Sequence, residues 1–189
     1  MKNISIIEFL KKCIQLLNRK LIGANFKKVT WKKIEYFDEV WKERIEGMSK
    51  FIPTNSEVLD LGCGKMWLKD MVQLKTYYPV DYCDRGDGSL ICDFNLSQFP
   101  DIKADVAFVS GVLEYVVDVD WFIRNIATNT NRCIISYNID DESQYIVVRK
   151  QRGWVNNLTK EELIAIFQKN NFKLIEYINT YHIFIFDKK

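Results

Sequence analysis

The sequence is poor in the residues that build metal centres and disulfide frameworks. It has a single histidine, His182, and its five cysteines form no CxxC pair: Cys13, Cys63, Cys83, Cys92 and Cys133. Structural zinc sites need clustered cysteine and histidine ligands, and disulfide-stabilised domains need paired cysteines at close spacing. We therefore expect reduced thiols, no bound metal, and a structural role for His182.

Long hydrophobic runs are also missing. Residues 1–22 are the most apolar stretch near the start of the chain, but Glu8, Lys11 and Lys12 interrupt them and no small-residue cleavage site follows. A signal peptide needs an unbroken apolar region, and a membrane-spanning helix needs about 20 apolar residues. The sequence therefore predicts a cytoplasmic protein without a transmembrane segment.

Charge is nearly balanced over the whole chain but unevenly distributed along it. The net charge is +2, whereas residues 1–50 hold 12 lysines and arginines and six acidic residues. Such a basic segment could face RNA, a phosphorylated substrate or an anionic membrane surface. A solvated helix face is the interpretation we favour, because lysine-rich helix faces are common on soluble proteins.

The N-terminal third has the pattern of two helices. Apolar residues between 6 and 21 recur at spacings of three and four, which is typical of an amphipathic helix. A second helix is predicted over about 31–51, with Thr30 as its N-cap and Pro53 after its end. Residues 1–54 are therefore expected to form a helical cap, which could cover a site or form a homodimer through its first helix.

From residue 57 the pattern changes to short apolar runs separated by helical stretches, which is typical of a parallel sheet with crossover helices. In a chain of 189 residues, this leaves 55–189 as one α/β domain. Only Thr180 and Tyr181 separate the last two runs, so these are predicted to form an antiparallel hairpin. We expect a seven-stranded, mainly parallel sheet with helices on both faces; the strands are 57–61, 76–81, 89–92, 105–110, 132–138, 173–179 and 182–186, and the helices are 66–74, 119–128 and 160–170.

A glycine loop follows the first predicted strand in the stretch Val58-Leu59-Asp60-Leu61-Gly62-Cys63-Gly64. Glycine lets a backbone approach a ligand closely. A dinucleotide-binding loop would need a third glycine where Trp67 stands, and a phosphate-binding P-loop would need serine or threonine in place of Met66. Asp81 lies 19 residues after Gly62, near the offset at which a carboxylate meets ribose hydroxyls, with Asp84 as a rival.

These motifs, in this order, resemble the class I, Rossmann-like methyltransferases that use S-adenosylmethionine. The resemblance covers about residues 55–186 and rests on the glycine loop, Asp81, the stretch Cys92-Asp93-Phe94-Asn95 and the stretch Val109-Ser110-Gly111-Val112-Leu113-Glu114-Tyr115. It implies S-adenosylmethionine as the cofactor, with S-adenosylhomocysteine as the product. The antiparallel terminal hairpin is also a feature of this family.

By position, the resemblance assigns each cofactor contact to one motif. Gly62, Cys63 and Gly64 would pass under the methionine and ribose, while Asp60 would order the loop and bind the ammonium group. Asp81 would hold the ribose, and the adenine and methionine contacts would come from Asp93 with Phe94 and from Ser110 with Gly111. The chain departs from the family at Met66, where a third glycine often stands, and at Tyr115, where histidine is common.

Candidates for the acceptor side follow the fourth and fifth predicted strands. Glu114 and Tyr115 are the predicted catalytic residues, because a carboxylate or phenolate within reach of a hydroxyl can accept its proton. Tyr137, Asn138, Arg149 and Trp154 are predicted to bind the substrate. The stretch 149–157 resembles the lid of methyltransferases from surface-polysaccharide pathways, in which Arg149 and Arg152 would hold an acidic or phosphorylated sugar.

We therefore expect methyl transfer to an oxygen of a small polar acceptor, such as a saccharide or its precursor. Two alternatives stay open. RNA methylation is supported by the basic first 50 residues, although nucleic acid is not the expected partner because no aromatic-interleaved basic stretch is present. A non-catalytic Rossmann-like partner protein is the other, and the largely intact glycine loop argues against it.

Overall fold

A computed structural model describes residues 33, 37–86, 88–139, 149 and 152–189. The helix predicted over residues 6–21, the N-cap Thr30 and a homodimer through the first helix lie outside this part of the chain. No helix among the described residues is long and apolar enough to cross a bilayer.

One seven-stranded sheet organises the described residues, in the order β3-β2-β1-β4-β5-β7-β6. Strands β1 to β5 pair in parallel, and β7 pairs antiparallel with both β5 and β6. The predicted mainly parallel sheet with an antiparallel terminal hairpin is confirmed. The strands are β1 (Glu57–Leu61), β2 (Thr76–Asp81), β3 (Leu90–Ile91), β4 (Val106–Ser110), β5 (Arg132–Ser136), β6 (Phe172–Ile178) and β7 (Ile183–Lys188).

The central strands are apolar on both sides because helices cover both faces of the sheet. One face packs against α2 (Val119–Asn129) and α3 (Lys160–Lys169), with Phe122 and Phe167 at the centre of the contact. The opposite face packs against α1 (Val40–Ser49), whose Met48 is fully buried. The α1 helix therefore shares a core with the sheet, and the division of the chain at residue 54 stays a prediction.

Helix α3 begins where its sequence predicts. The Thr159 hydroxyl accepts a hydrogen bond from the Glu162 backbone N–H, and the Glu162 carboxylate accepts one from the Thr159 N–H. This capping box satisfies two of the amides that an α-helix leaves free at its start. The predicted helices over 119–128 and 160–170 differ from α2 and α3 by one residue each.

Two predicted helices are wrong in part. In place of an α-helix over 66–74 the chain forms a single 3₁₀ turn, Trp67–Asp70. Met66 has φ of 55°, in the left-handed region, and such a residue cannot lie within a right-handed α-helix. The helix predicted over about 31–51 is α1, which begins only at Val40, after Phe37 and Asp38 in non-helical conformation.

The turn of the terminal hairpin is longer than predicted. His182, expected in the last strand, lies instead in a 3₁₀ turn, Thr180–His182, and β7 starts at Ile183. Tyr181 and His182 both have positive φ, 62° and 46°, a conformation that costs non-glycine residues about 1–2 kcal/mol each. The Tyr181 hydroxyl donates to the Glu43 carboxylate over 2.8 Å, so this turn contacts α1.

The strand order fixes where a ligand can bind. Counted from β1, the chain proceeds outward to β2 and β3 on one side and to β4 and β5 on the other. In open α/β sheets, ligands bind at the carboxyl ends of the strands where the order reverses. Here that point lies between β1 and β4.

Candidate functional site

A cavity of about 710 Å³ opens at the carboxyl ends of the parallel strands β1 to β5. Eleven of the residues predicted from the sequence line it: Gly62, Asp81, Asp93, Phe94, Ser110, Gly111, Glu114, Tyr115, Asn138, Arg152 and Trp154. Five others do not line it: Asp60, Cys63, Gly64, Tyr137 and Arg149. The sheet therefore brings residues from six separate stretches of sequence to one site.

The glycine loop turns sharply because its amides bond to the neighbouring strand. The N–H groups of Gly62 and Cys63 both donate to the Val80 carbonyl, over 2.7 and 3.0 Å. Gly62 has φ of 88°, and a Cβ there would collide with the Val112 side chain. Glycine is needed at this position for both reasons.

Asp60 lies behind the loop rather than in the cavity. Its carboxylate accepts a hydrogen bond of 2.5 Å from the Tyr77 hydroxyl. Burial raises the pKa of the Asp60 carboxyl to about 7, and the nearby Asp81 charge acts in the same direction. This placement suits a role in holding the loop, while the predicted contact with an ammonium group stays a prediction.

Asp81 is buried at the end of β2, and the protein already supplies three hydrogen bonds and an ion pair to its carboxylate. One oxygen accepts from the Gly64 N–H over 3.0 Å and the other from the Tyr82 N–H over 2.8 Å. The Arg85 guanidinium pairs with both oxygens, with Nε at 3.0 Å from Oδ2 and Nη2 at 3.3 Å from Oδ1. The guanidinium also lies over the rings of Phe37 and Tyr82, at 5.2 and 5.7 Å from their centroids.

Asp93 and Phe94 line the cavity at the end of β3. Asp93 Oδ1 accepts from the Asn95 N–H over 2.9 Å and so caps the 3₁₀ turn Phe94–Leu96. Phe94 is buried against Phe99 and Phe122. Together with Asp81, this places two carboxylates at the β2–β3 end of the cavity.

Glu114 combines burial with an unused acceptor. Its side chain is 1% exposed, and Oε1 accepts from both the Asn138 backbone N–H, at 3.0 Å, and the Asn138 side-chain amide, at 2.8 Å. Oε2 is buried and accepts no hydrogen bond from the described residues. A carboxylate oxygen buried without a partner is costly unless a ligand supplies the missing donor.

The loop 152–158, which follows β5, closes the end of the cavity at which Glu114 lies. The Trp154 indole N–H donates to the Tyr115 hydroxyl over 3.0 Å, and the Val155 N–H donates to the Glu114 carbonyl over 2.8 Å. The Asn156 amide donates to the carbonyls of Leu113 and Val116. These bonds dock the loop on the 3₁₀ turn that follows β4.

Arg149 and Tyr137 form a buried hydrogen-bonded group beside the cavity. The Arg149 guanidinium donates to the Asn138 carbonyl at 2.6 Å, the Tyr137 hydroxyl at 2.9 Å and the Asn157 side chain at 2.7 Å. The Tyr137 hydroxyl also donates to the Asn156 side chain. Arg149 and Tyr137 thus hold the loop 152–158 in place through hydrogen bonds. Their predicted contact with substrate stays a prediction.

Two cavity residues that the sequence did not identify come from α1. Trp41 and Arg44 line the cavity, and Arg44 Nε donates to the Ser110 hydroxyl over 3.0 Å. Neither terminal nitrogen of Arg44 donates to an acceptor within the described ranges. Trp41 and Arg44 lie three residues apart on one face of α1, and this spacing was the signal that could have identified them.

The comparisons with known proteins agree on one class. The family model of a methyltransferase domain matches residues 33–177. No curated protein sequence matches the chain.

Three solved structures with a similar fold are distant from this chain in sequence. Magnesium protoporphyrin IX methyltransferase from Synechocystis PCC 6803, with bound S-adenosylhomocysteine, has a TM-score of 0.61 at 15% identity, covering 94% of this chain and all of that one. The 1,6-didemethyltoxoflavin-N1-methyltransferase of Burkholderia thailandensis, with its substrate and S-adenosylhomocysteine, has a TM-score of 0.60 at 12% identity, covering 100% and 92%.

A third structure is an N-methyltransferase of Bradyrhizobium japonicum WM9 in complex with S-adenosylhomocysteine. Its TM-score is 0.61 at 15% identity, and the match covers 81% of this chain and 88% of that one. At this identity these structures establish the fold, whereas the family model covers most of the chain. With its Rossmann-like sheet and its cavity at the strand reversal, the chain belongs to the methyltransferase-domain family.

Proposed function

We propose that this protein transfers the methyl group of S-adenosylmethionine to a hydroxyl oxygen of a small polar acceptor, a saccharide or its precursor. The observation that carries the proposal is a single cavity with two carboxylates, Asp81 and Asp93, at one end and the buried, unpartnered Glu114 Oε2 at the other. The first end suits an adenosine and the second suits a hydroxyl donor. Family membership supplies the reaction class.

The donor half of the cavity has the groups that this cofactor needs. Asp81 and Asp93, at the ends of β2 and β3, would accept hydrogen bonds from the ribose hydroxyls and the adenine amino group. The ribose hydroxyls would take the places of the Arg85 donors on Asp81, while the Gly64 and Tyr82 amides keep theirs. The S-adenosylhomocysteine found in the three structures named above supports the same choice of cofactor.

Arg44 would bind the methionine carboxylate of the cofactor. Its Nε is held by Ser110 at the end of β4, next to the strand reversal, and burial lowers the pKa of its guanidinium. The two terminal nitrogens are planar donors of the kind that suits a carboxylate. A carboxylate there would also stabilise the charge of the buried guanidinium.

In the reaction, the protein mainly positions the acceptor hydroxyl against the methyl group and excludes water from the site. The cofactor supplies an activated sulfonium methyl group, so no covalent enzyme nucleophile is needed. Glu114 Oε2 would accept the hydroxyl proton as the acceptor oxygen forms its bond to carbon, while Asn138 fixes the orientation of that carboxylate. Trp154 and Tyr115 would cover the acceptor.

Glu114→Gln tests this proposal. We expect the rate of methyl transfer to fall by about 10²–10⁴-fold, the usual contribution of a general base, with S-adenosylmethionine affinity changed by less than about threefold. Glu161→Gln, a change to an exposed glutamate in α3, is the matched control. The readouts are mass spectrometry of methyl incorporation into sugar, nucleotide and RNA pools, and calorimetry of cofactor binding.

The possible failures are distinct. Methyl incorporation confined to RNA would contradict the saccharide acceptor and leave the donor intact. Wild-type protein that binds no S-adenosylmethionine would favour the non-catalytic partner instead.

A further inference from the structure

The loop 152–158 and the residue that anchors it carry two arginines with opposite surroundings. Arg149 is 2% exposed, and its guanidinium makes four hydrogen bonds to the protein. Arg152 is exposed and lines the cavity, and its side chain makes no hydrogen bond or ion pair within the described part of the chain. Arg149 thus holds the loop, whereas the Arg152 guanidinium lines the cavity without bonding to any of the described residues.

The Arg152 guanidinium lies over the ring of Trp154. Its guanidinium carbon lies 5.2 Å from the centroid of the Trp154 ring, and that indole is held by the Tyr115 hydroxyl. A guanidinium held over an aromatic face can still donate through its N–H groups, and these match the two oxygens of a carboxylate or phosphate. The Arg152 guanidinium therefore lies beside Trp154 at the cavity, with donors that suit an anion.

The acids that line the cavity among the described residues each have another partner and form no ion pair with Arg152. Glu114 is engaged through Oε1 with Asn138, and Asp93 caps its own 3₁₀ turn at the other end of the cavity. Asp81 is paired with Arg85. A cationic group thus stands at the mouth of the acceptor half with no acid bonded to it among the described residues.

We propose that the acceptor carries an anionic group, a carboxylate or a phosphate, which Arg152 binds beside Trp154 while the acceptor hydroxyl faces Glu114 Oε2. This inference rests on the proposed function and names the class of acceptor within it. The hydroxyl oxygen forms the new bond to the methyl carbon as the carbon–sulfur bond breaks. The electron pair of the carbon–sulfur bond stays on sulfur, which becomes the thioether of S-adenosylhomocysteine. The proton of the acceptor hydroxyl passes to Glu114. Arg44 and Arg152 then hold two different anions, the methionine carboxylate and the acceptor anion.

The first experiment sorts acceptors by charge. Purified full-length protein with isotopically labelled S-adenosylmethionine is incubated with three separate pools: neutral sugars, uronic acids and sugar phosphates. We expect label in an anionic pool, and the pool that is labelled distinguishes a carboxylate from a phosphate. Label confined to neutral sugars, or no label in either anionic pool, overturns the inference.

The second experiment tests Arg152 itself on the labelled acceptor. We expect Arg152→Gln to raise the acceptor KM by about 10–100-fold, as for lost charge-assisted hydrogen bonds, with kcat within about twofold. Arg152→Lys keeps the charge but loses the planar donors, and its KM should lie between the two. Arg124→Gln, at an exposed arginine of α2, is the control and should leave KM unchanged.

Measuring cofactor binding distinguishes failure of this inference from failure of the proposed function. An unchanged KM in Arg152→Gln overturns the anionic acceptor, whereas calorimetry on the same protein would still show S-adenosylmethionine binding. Absence of that binding in the wild type would overturn the proposed function as well.

Discussion

Burial in the fold makes ionisation of the Asp60 carboxyl less favourable than it is in the unfolded chain. Its pKa is raised to about 7, mainly by burial, against about 4 in an unfolded chain. Between these values the folded protein keeps a proton that the unfolded chain has lost, so the folded state binds more protons. The free energy of unfolding should therefore fall as pH rises from about 4 to 7.

Asp60→Asn is expected to remove this pH dependence, because the amide oxygen can still accept from Tyr77 and never ionises. The stability gained relative to wild type should be small at pH 4 and approach at most about 4 kcal/mol above pH 7. Urea unfolding at several pH values measures it, with Asp101→Asn at an exposed acid as the control. Equal pH slopes in Asp60→Asn and wild type would contradict the assignment.

Arg85 is expected to influence the affinity of the protein for its cofactor. Its guanidinium occupies the positions on Asp81 that ribose hydroxyls would use. Arg85→Gln should therefore bind S-adenosylmethionine on the order of tenfold more tightly, while the unliganded protein loses about 3 kcal/mol of stability because the buried Asp81 carboxylate loses its ion pair.

Calorimetry and thermal unfolding of Arg85→Gln measure both effects. Adding Asp81→Asn should abolish the gain in affinity and restore part of the stability. If Arg85→Gln instead binds the cofactor more weakly, then Arg85 stays in place in the complex and supports the site.

At the scale of elements, the loop after β5 depends on one buried side chain. Arg149→Met would remove four hydrogen bonds and deprive the carbonyls of Asn138 and Asn156 of their Arg149 donors. We expect a loss of about 3 kcal/mol in the free energy of unfolding and a raised acceptor KM, with cofactor affinity unchanged. Arg124→Met, at an exposed arginine, should change stability by less than about 0.5 kcal/mol.

The strands were largely predictable and some connections were not. Strands β1 and β2 have the predicted bounds, because apolar runs flanked by glycine or polar residues specify a buried parallel strand. The turn 67–70 was missed because nothing in the sequence marks Met66 as left-handed. Hydrophobic spacing reports which face of an element is buried, and it does not report where the backbone leaves the helical region.

The candidate site was predictable where a motif carried it. Gly62, Asp81 and Ser110 were predicted from the motifs, and they line the cavity because each stands at the carboxyl end of a parallel strand. Arg44 was missed because its place depends on how α1 packs on the sheet. The engagement of Arg149 with Tyr137 depends on burial of the loop, which sequence alone cannot specify.

For the whole molecule, the two faces of the sheet should unfold together. Met48 of α1 and Phe167 of α3 lie in the two hydrophobic clusters on opposite faces, and both are fully buried. Met48→Ala and Phe167→Ala should each lower stability by about 2–5 kcal/mol while keeping one cooperative transition. Circular dichroism and intrinsic fluorescence are the two probes, and non-coincident transitions in Met48→Ala would instead support a separable helical cap.

The cavity spans the sheet from the end of β3 to the end of β5, which is four strand spacings, or about 19 Å. The carboxylates assigned to the adenosine, Asp81 and Asp93, lie at the ends of β2 and β3, and the residues assigned to the acceptor lie after β4 and β5. Substitutions separated by such a distance act nearly independently on free energy. Selection, or an engineer, can therefore exchange residues 152–154 to recruit a new acceptor while the methyl donor stays the same.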